Sequence, residues 1–404
     1  MSSPDPTGPV SPQPAAPSAV APSAVAPPPA TVRSVPLDAW HRANGARMVA
    51  FAGYAMPLLY APPPALAARC RGGVLAEHQH CRAACALFDV SHMGQAWLTG
   101  PAAAAALEAL VVGDIAGLPP GHQRYTLLTD AAGGILDDLM VANTGAQRLF
   151  LVVNASCKDA DFAHIAAALP AGVRLDPLPD RALLALQGPH AASVLHRFCP
   201  PAAALPFLGV ALLPIAGIDC LVSRSGYTGE DGFELSVPAT AAETLAAMLL
   251  AEPEVALAGL GARDSLRLEA GLCLYGADID LSTTPVEAGL AWTIGKRRRQ
   301  DGGFPGAATI CAQLQAGPAR RRVGLRLEGR AAARAGAPVL GADGAAVGRV
   351  TSGLFSPTLG TPIAMGYVRA DLAAPGTTLA LSVRGAPLPG VTARLPFVPH
   401  RYAP

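Results

Sequence analysis

The sequence predicts an α+β protein that ends in a separate small β-barrel or jelly roll. Three observations carry this reading. Apolar strand-like runs at 125–128, 135–142 and 149–155 are joined by turns too short to hold crossover helices, which excludes a regular βαβ array. Stretches rich in Ala and Leu, at 101–112 and 159–169, interrupt them at helical spacing. Beyond Arg322 the chain changes to short alternating runs punctuated by Gly and Pro through Phe397.

A chain of 404 residues exceeds one hydrophobic core, so two or three domains are expected. Aromatic residues are only 5% against 51% apolar overall, so the core is aliphatic. A net charge of +1 gives no basis for binding nucleic acid or an anionic membrane. No apolar run reaches the ~18 residues of a membrane span. The 8 cysteines are scattered; Cys81 and Cys85 are close, but no second pair completes zinc spacing, so reduced thiols and no metal are expected.

In chain order, residues 1–35 are almost entirely Pro, Ala, Ser and Val, a composition that cannot offset its ordering entropy. They are expected to be a disordered leader with neither the pattern of a secretory signal nor that of a transit peptide, and the folded body is expected from about Leu37. Residues 37–49 read as a short helix entering a strand, and 51–60 as a Gly-containing loop with aromatics. Residues 77–94 start helical and end extended. There Asp89, Ser91 and His92 invite a hydrolytic triad, but neighbours on one extended segment point in different directions. His78, His80 and Cys81 lack facing ligand geometry. Residues 183–188 form a strand, 190–198 a helix and 260–275 a further helix, with Arg263 and Arg267 one turn apart.

Two stretches concentrate chemistry. In residues 129–155, Gly133-Gly134 mark a turn and Asn143-Thr144-Gly145 separates two strands of a hairpin. Alternation puts Asp137 with Ile135, Leu139 and Val141, and Asp138 with Leu136 and Met140. Both faces are apolar, so at least one carboxylate needs a partner or a task; the alternative is a strand end in water. In residues 221–237, Gly226, Gly229 and Gly232 punctuate Arg224, Tyr227, Glu230, Asp231 and Glu234. The phosphate-loop and dinucleotide fingerprints are absent, and the acids suit a cationic or hydrogen-bond-donating ligand, or simply an acidic surface turn. The run Lys296–Arg299 reads as a solvated loop, with docking of an acidic partner as the alternative.

Taken together, FAGYAMP (51–57), LFDVSHMG (87–94), GGILDDLMV (133–141), LALQGP (184–189), SRSGYTGEDGFEL (223–235), LGARDSLRLEAGLCLYGADID (260–280) and TTPVEAGLAWTIGKRRR (283–299) resemble the folate-dependent T-proteins, the aminomethyltransferases of the glycine cleavage system. The resemblance runs from about Leu37 to Tyr402. It implies a ring-like arrangement of three domains, with two interleaved α+β domains over 36–318 and a β-barrel over 319–404. It implies tetrahydrofolate as one-carbon acceptor and the lipoylated H-protein as partner, with 5,10-methylenetetrahydrofolate and ammonia as products and no need of metal or flavin. The family's catalytic position falls on Asp138. Folate-contact positions fall on Glu234, Arg263 and Tyr402, with Tyr125, Asn154, Tyr227 and Met93 as neighbours. The implied compartment is a bacterial cytoplasm or, alternatively, the mitochondrial matrix. A non-catalytic folate-binding scaffold and a demethylase with a flavin partner are the rival readings.

Overall fold

The structure, a computed structural model, describes residues 32–61 and 72–403. The leader expected to be disordered lies outside the described residues up to Thr31, as does Cys70. The fold begins earlier than Leu37: Arg33–Ser34 pairs in parallel with Tyr54–Ala55, and the Val35 side chain is buried.

Residues 51–60 are not a loop. Tyr54–Tyr60 forms a hairpin with Ala46–Phe51, turning at Gly53 with φ +79°. Pro57 is tolerated because the pairing slips between Arg47 and Met48, and because the short Arg33–Ser34 strand ends before reaching it.

Two larger sheets follow. A six-stranded sheet has the order Val210–Ile215, Ile218–Ser223, Gly232–Pro238, Arg181–Gln187, Cys85–Asp89 and Val255–Leu257. The helices Ala191–Phe198 and Ala242–Ala251 bury Val194, Leu195, Leu245 and Leu249 against its aliphatic face. A five-stranded antiparallel sheet has the order His122–Thr129, Ile135–Asn143, Arg148–Val153, Gly94–Thr99 and Arg174–Pro177. Leu107 and Ile165, from helices Ala103–Glu108 and Lys158–Ala167, cover one face of it. The first of these helices is shorter than the 101–112 expected, since Ala109 to Val112 turn away to meet Leu127 and Leu128.

From Arg320 onward the chain forms a closed barrel with the order Arg320–Leu327, Thr361–Arg369, Ala346–Ser356, Pro338–Leu340, Thr378–Val383 and Ala386–Ala393. Its first strand is fastened to the preceding segment: Arg322 donates to the carbonyls of Gly271 and Ala288, and Arg320 pairs with Glu287.

The basic run also differs from expectation. Lys296–Asp301 is a helix, and Arg298 is buried, donating to the carbonyls of Glu108 and Val111, while Arg297 pairs with Glu108 and Asp114. Neighbouring charges in sequence have diverged in space because one helical face packs inward.

Candidate active site

Asp137 and Asp138 lie mid-strand in Ile135–Asn143, opposite Leu128 and Leu127. The strand-end alternative does not hold. Asp137 is wholly buried on the face that carries Ile135, Leu139 and Val141, whereas Asp138 is on the opposite, partly open face. Of the glycines before them, Gly133 takes φ +93°; Gly134 does not, and its role is steric, because a Cβ there would stand 2.2 Å from the Leu281 carbonyl oxygen.

Asn154, just past the next strand, joins the two acids. Its Nδ2 donates to Asp138 Oδ1 at 2.7 Å and to Asp137 Oδ1 at 2.9 Å, and its backbone N–H donates to Asp137 Oδ2 at 3.1 Å. The Tyr125 hydroxyl also bonds Asp138, and the Tyr125 ring stacks on Trp292 with centroids 5.7 Å apart. Burial, then the neighbouring Asp137 charge, push the Asp138 carboxyl up to about 7, against the pull of the Tyr125 and Asn154 hydrogen bonds. Burial likewise raises Asp137. A third carboxyl, Asp161 on helix Lys158–Ala167, lies within hydrogen-bonding reach of Asp137 and is pushed up to about 9 by burial and the Asp137 charge. Sequence reasoning missed it, since an acid in a helix's first turn ordinarily answers to the helix dipole.

The six-stranded sheet supplies the facing groups. Glu234, on Gly232–Pro238, accepts from the Ser225 hydroxyl at 2.9 Å. Met140, Val152 and Gln123 from one sheet and Glu234, Ser223 and Leu183 from the other line a common cavity. Arg263 stands in the first turn of helix Leu260–Glu269, its guanidinium carbon 4.6 Å from the Tyr227 ring centroid. Its Nη1 is buried without an acceptor. Burial depresses the Arg263 pKa, and the Glu234 charge opposes that. The Tyr227 hydroxyl donates to the Cys273 carbonyl. Buried His92 has an Nδ1 with no partner and is held neutral, at about 3, first by burial and then by Arg263. The sequence points to His92 only through the triad pattern with Asp89 and Ser91. Asp89 instead bonds His41, and the Ser91 hydroxyl bonds Leu183, so no triad forms.

The arginines one turn apart have separate duties. Arg267 pairs with Asp264 and Asp278 and donates to Ser352, leaving Arg263 as the one without a carboxylate bond among the described residues. Gly259 and Gly261 serve packing, not ligand approach: Cβ atoms there would meet the Leu58 carbonyl oxygen at 2.5 Å and Val74 Cγ2 at 2.4 Å. Gly226 and Gly232 make room for the Gln187 side chain. Nor is the 221–237 loop an acidic surface turn, because Asp231 is paired with Arg224 and Glu230 with Arg82 and Arg401. Met93 is half-buried beside Val152 and Val90. The Tyr402 ring stacks on Phe207 with centroids 4.2 Å apart and lies tilted beside His400 at 4.8 Å.

The arrangement can hold a flat heterocycle with both donor and acceptor edges. Glu234 offers an acceptor, the orphaned Arg263 Nη1 a charged donor and His92 Nδ1 a further polar atom, all beside an acid poised near neutrality. Among the described residues, no cluster of three or more His, Cys, Asp or Glu is arranged to hold a metal, and no helix is long and apolar enough to cross a membrane.

Residues 37–298 match the GCVT N-terminal domain family and residues 320–399 the glycine cleavage T-protein C-terminal barrel domain. The chain is 50% identical over 382 residues to the mitochondrial aminomethyltransferase of Gallus gallus, covering 93% of this chain and 94% of that protein. It is 48% identical to the mitochondrial aminomethyltransferase of Homo sapiens, covering 92% and 91% of the two chains. The crystal structure of glycine cleavage system aminomethyltransferase T from Bartonella henselae superposes with a TM-score of 0.85 at 42% identity, covering 92% of this chain and all of that one. The chain belongs to the glycine cleavage T-protein family, enzymes that transfer an aminomethyl carbon to tetrahydrofolate and release its nitrogen as ammonia.

Proposed function

We propose that Asp138 is the residue on which the one-carbon transfer turns, and that its facing wall of Glu234, Arg263, Tyr227 and Met93 holds the folate. The observation that carries this reading is a single partly open carboxylate, fixed by Asn154 and Tyr125, in a site dry enough to raise it to about 7. Tetrahydrofolate, when bound, supplies the nitrogens that receive the methylene.

The chain's own residues do the rest. Ionised Asp138 stabilises positive charge as ammonia leaves an aminomethyl carbon, and it does so without reorganisation, because Asn154 and Tyr125 already fix its oxygens. Proton transfer is secondary to this electrostatic and positioning role. Glu234 accepts from amine and ring N–H groups of the pterin, and Arg263 supports the same end. Tyr402, its ring stacked on Phe207, adds a further folate contact, as its position in the family pattern implies. The lipoylated H-protein delivers the aminomethyl group. Relatives named as mitochondrial support the matrix, the second of the two compartments expected from sequence.

Ammonia release that requires both aminomethylated H-protein and tetrahydrofolate tests the whole. Asp138→Asn should keep folate binding and lose most turnover, and Asp137→Asn should lose less. Comparable turnover of wild type and the Asp138 variant at equal folate saturation removes the assignment.

A further inference from the structure

Asp161 is an anomaly as an ordinary ionised aspartate. It is buried at 4% exposure, and its Oδ2 has no donor to accept from. The polar group within reach is the Asp137 carboxyl, which is itself wholly buried. Two carboxylates cannot both keep their charge at such a distance in a dry site; one proton between them turns repulsion into a hydrogen bond. Asp137 is already committed to accepting, from the Asn154 backbone N–H through Oδ2 and from its side-chain amide through Oδ1. Asp161 is therefore the donor.

We propose that Asp161 is a positioning residue for the transfer, holding a proton against Asp137 so that Asp137 grips Asn154 and Asn154 keeps its amide hydrogens on Asp138. This rests on the reading of Asp138 given above. The chain runs Asp161, Asp137, Asn154, Asp138, from a helix through the strand to its open face. It leaves one negative charge behind Asp138 instead of two, which keeps Asp138 able to ionise near neutral pH. The other titratable groups facing the pair are the Cys157 thiol, which bonds Asp137, and the Tyr275 hydroxyl, which bonds the Ile135 carbonyl. Tyr125 and Asp138 occupy the opposite face. Burial raises both Cys157 and Tyr275, so neither is ionised where the enzyme works.

The test uses the full-length enzyme with aminomethylated H-protein and tetrahydrofolate. Asp161→Asn replaces the acid proton by an amide N–H that can still be donated, and turnover should stay within roughly threefold of wild type. Asp161→Ala removes the donor, and kcat should fall roughly tenfold with little change in KM for tetrahydrofolate, as for other residues acting through a neighbour. A purely structural Asp161 would lower Tm and leave kcat unchanged. Infrared spectra at pH 8 give a readout independent of turnover. The carboxylic-acid carbonyl band of wild type should be lost in Asp161→Asn, leaving a band in the wild-type-minus-variant difference, and should persist in Asp138→Asn.

An unaltered kcat in Asp161→Ala, equal damage in the two variants, or no difference band for Asp161→Asn each overturn the proposal. If Asp161→Ala does not fold, the Asn variant alone decides. Full turnover of Asp138→Asn defeats the underlying assignment instead, whereas a dead Asp138→Asn beside a wild-type-like Asp161→Ala defeats this inference alone.

Discussion

The Arg263 guanidinium lies over the Tyr227 ring at 4.6 Å and leaves its Nη1 buried with nothing to donate to. An arginine kept dry and unsatisfied in the free protein is destabilising by itself. The stack fixes its plane, and the Glu234 charge limits the cost. In the folate site proposed above, Arg263 beside Glu234 serves the pterin end and not the glutamate tail.

Arg263→Ala should therefore weaken monoglutamate and polyglutamate folates by the same factor, a loss of about 1.5–3 kcal/mol for a charged hydrogen bond. Calorimetric titration of both ligands checks this. A penalty that changes with glutamate number would place Arg263 at the tail.

Turnover should rise as pH increases through about 7, following ionisation of Asp138. The stability effect has the opposite sense. A carboxyl whose folded pKa is raised above its unfolded value of 3.8 costs stability progressively as pH rises from about 4 to 7, and the cost is complete above that. Asp138→Asn should thus be more stable than wild type at pH 8, by on the order of 4 kcal/mol, and indistinguishable near pH 3. Denaturant titrations at the two pH values measure it.

Glu269 should be the acid-sensitive point of the fold. Burial works to raise its carboxyl, but hydrogen bonds from His78, Ser356 and Thr358 outweigh burial and hold it at about 2. It also pairs with Arg82, so it ties helix Gly73–Ala83 to the barrel. Its contribution is fully present above about 4.5 and is lost as pH falls from there towards 2. Glu269→Gln should cost about 3 kcal/mol at pH 7 and flatten that acid limb, as read from melting temperature against pH.

The basic run makes a sharp comparison. Arg298→Ala should destabilise by about 2–4 kcal/mol, since it strands the Glu108 and Val111 carbonyls in a buried place. Arg297→Ala, at a side chain 44% exposed, should cost far less, because solvent screens its pairs. Urea midpoints separate the two.

The strand reading of 135–142 followed from an apolar run bounded by turn signals, and the opposite faces of Asp137 and Asp138 followed from alternation. What could not be read locally was anything decided across the fold. Asp161 matters because helix Lys158–Ala167 covers the face on which Asp137 points, a packing choice with no local signature. The charges of 296–299 looked solvated because a window of sequence does not reveal which helical face is covered. Pro57 and Gly53 argued for a loop at 51–60, yet a register slip and a short neighbouring strand accommodate both. The acids of 221–237 read as facing a donor ligand or water, whereas Glu230 and Asp231 are held by Arg82, Arg401 and Arg224, pairings made across the fold.

The pairing of Cys85–Asp89 bears on how the chain is made. One neighbour is Arg181–Gln187 and the other is Val255–Leu257, both synthesised long after it. During translation this apolar strand emerges with two unpaired edges and waits for partners from the far side of an entire intervening sheet. The five-stranded sheet can close first, from nearly consecutive hairpins, while the larger one depends on contacts distant in sequence and is correspondingly slow. The nascent chain is therefore most exposed to aggregation before Leu257 leaves the ribosome, and that interval is where a chaperone has most to protect.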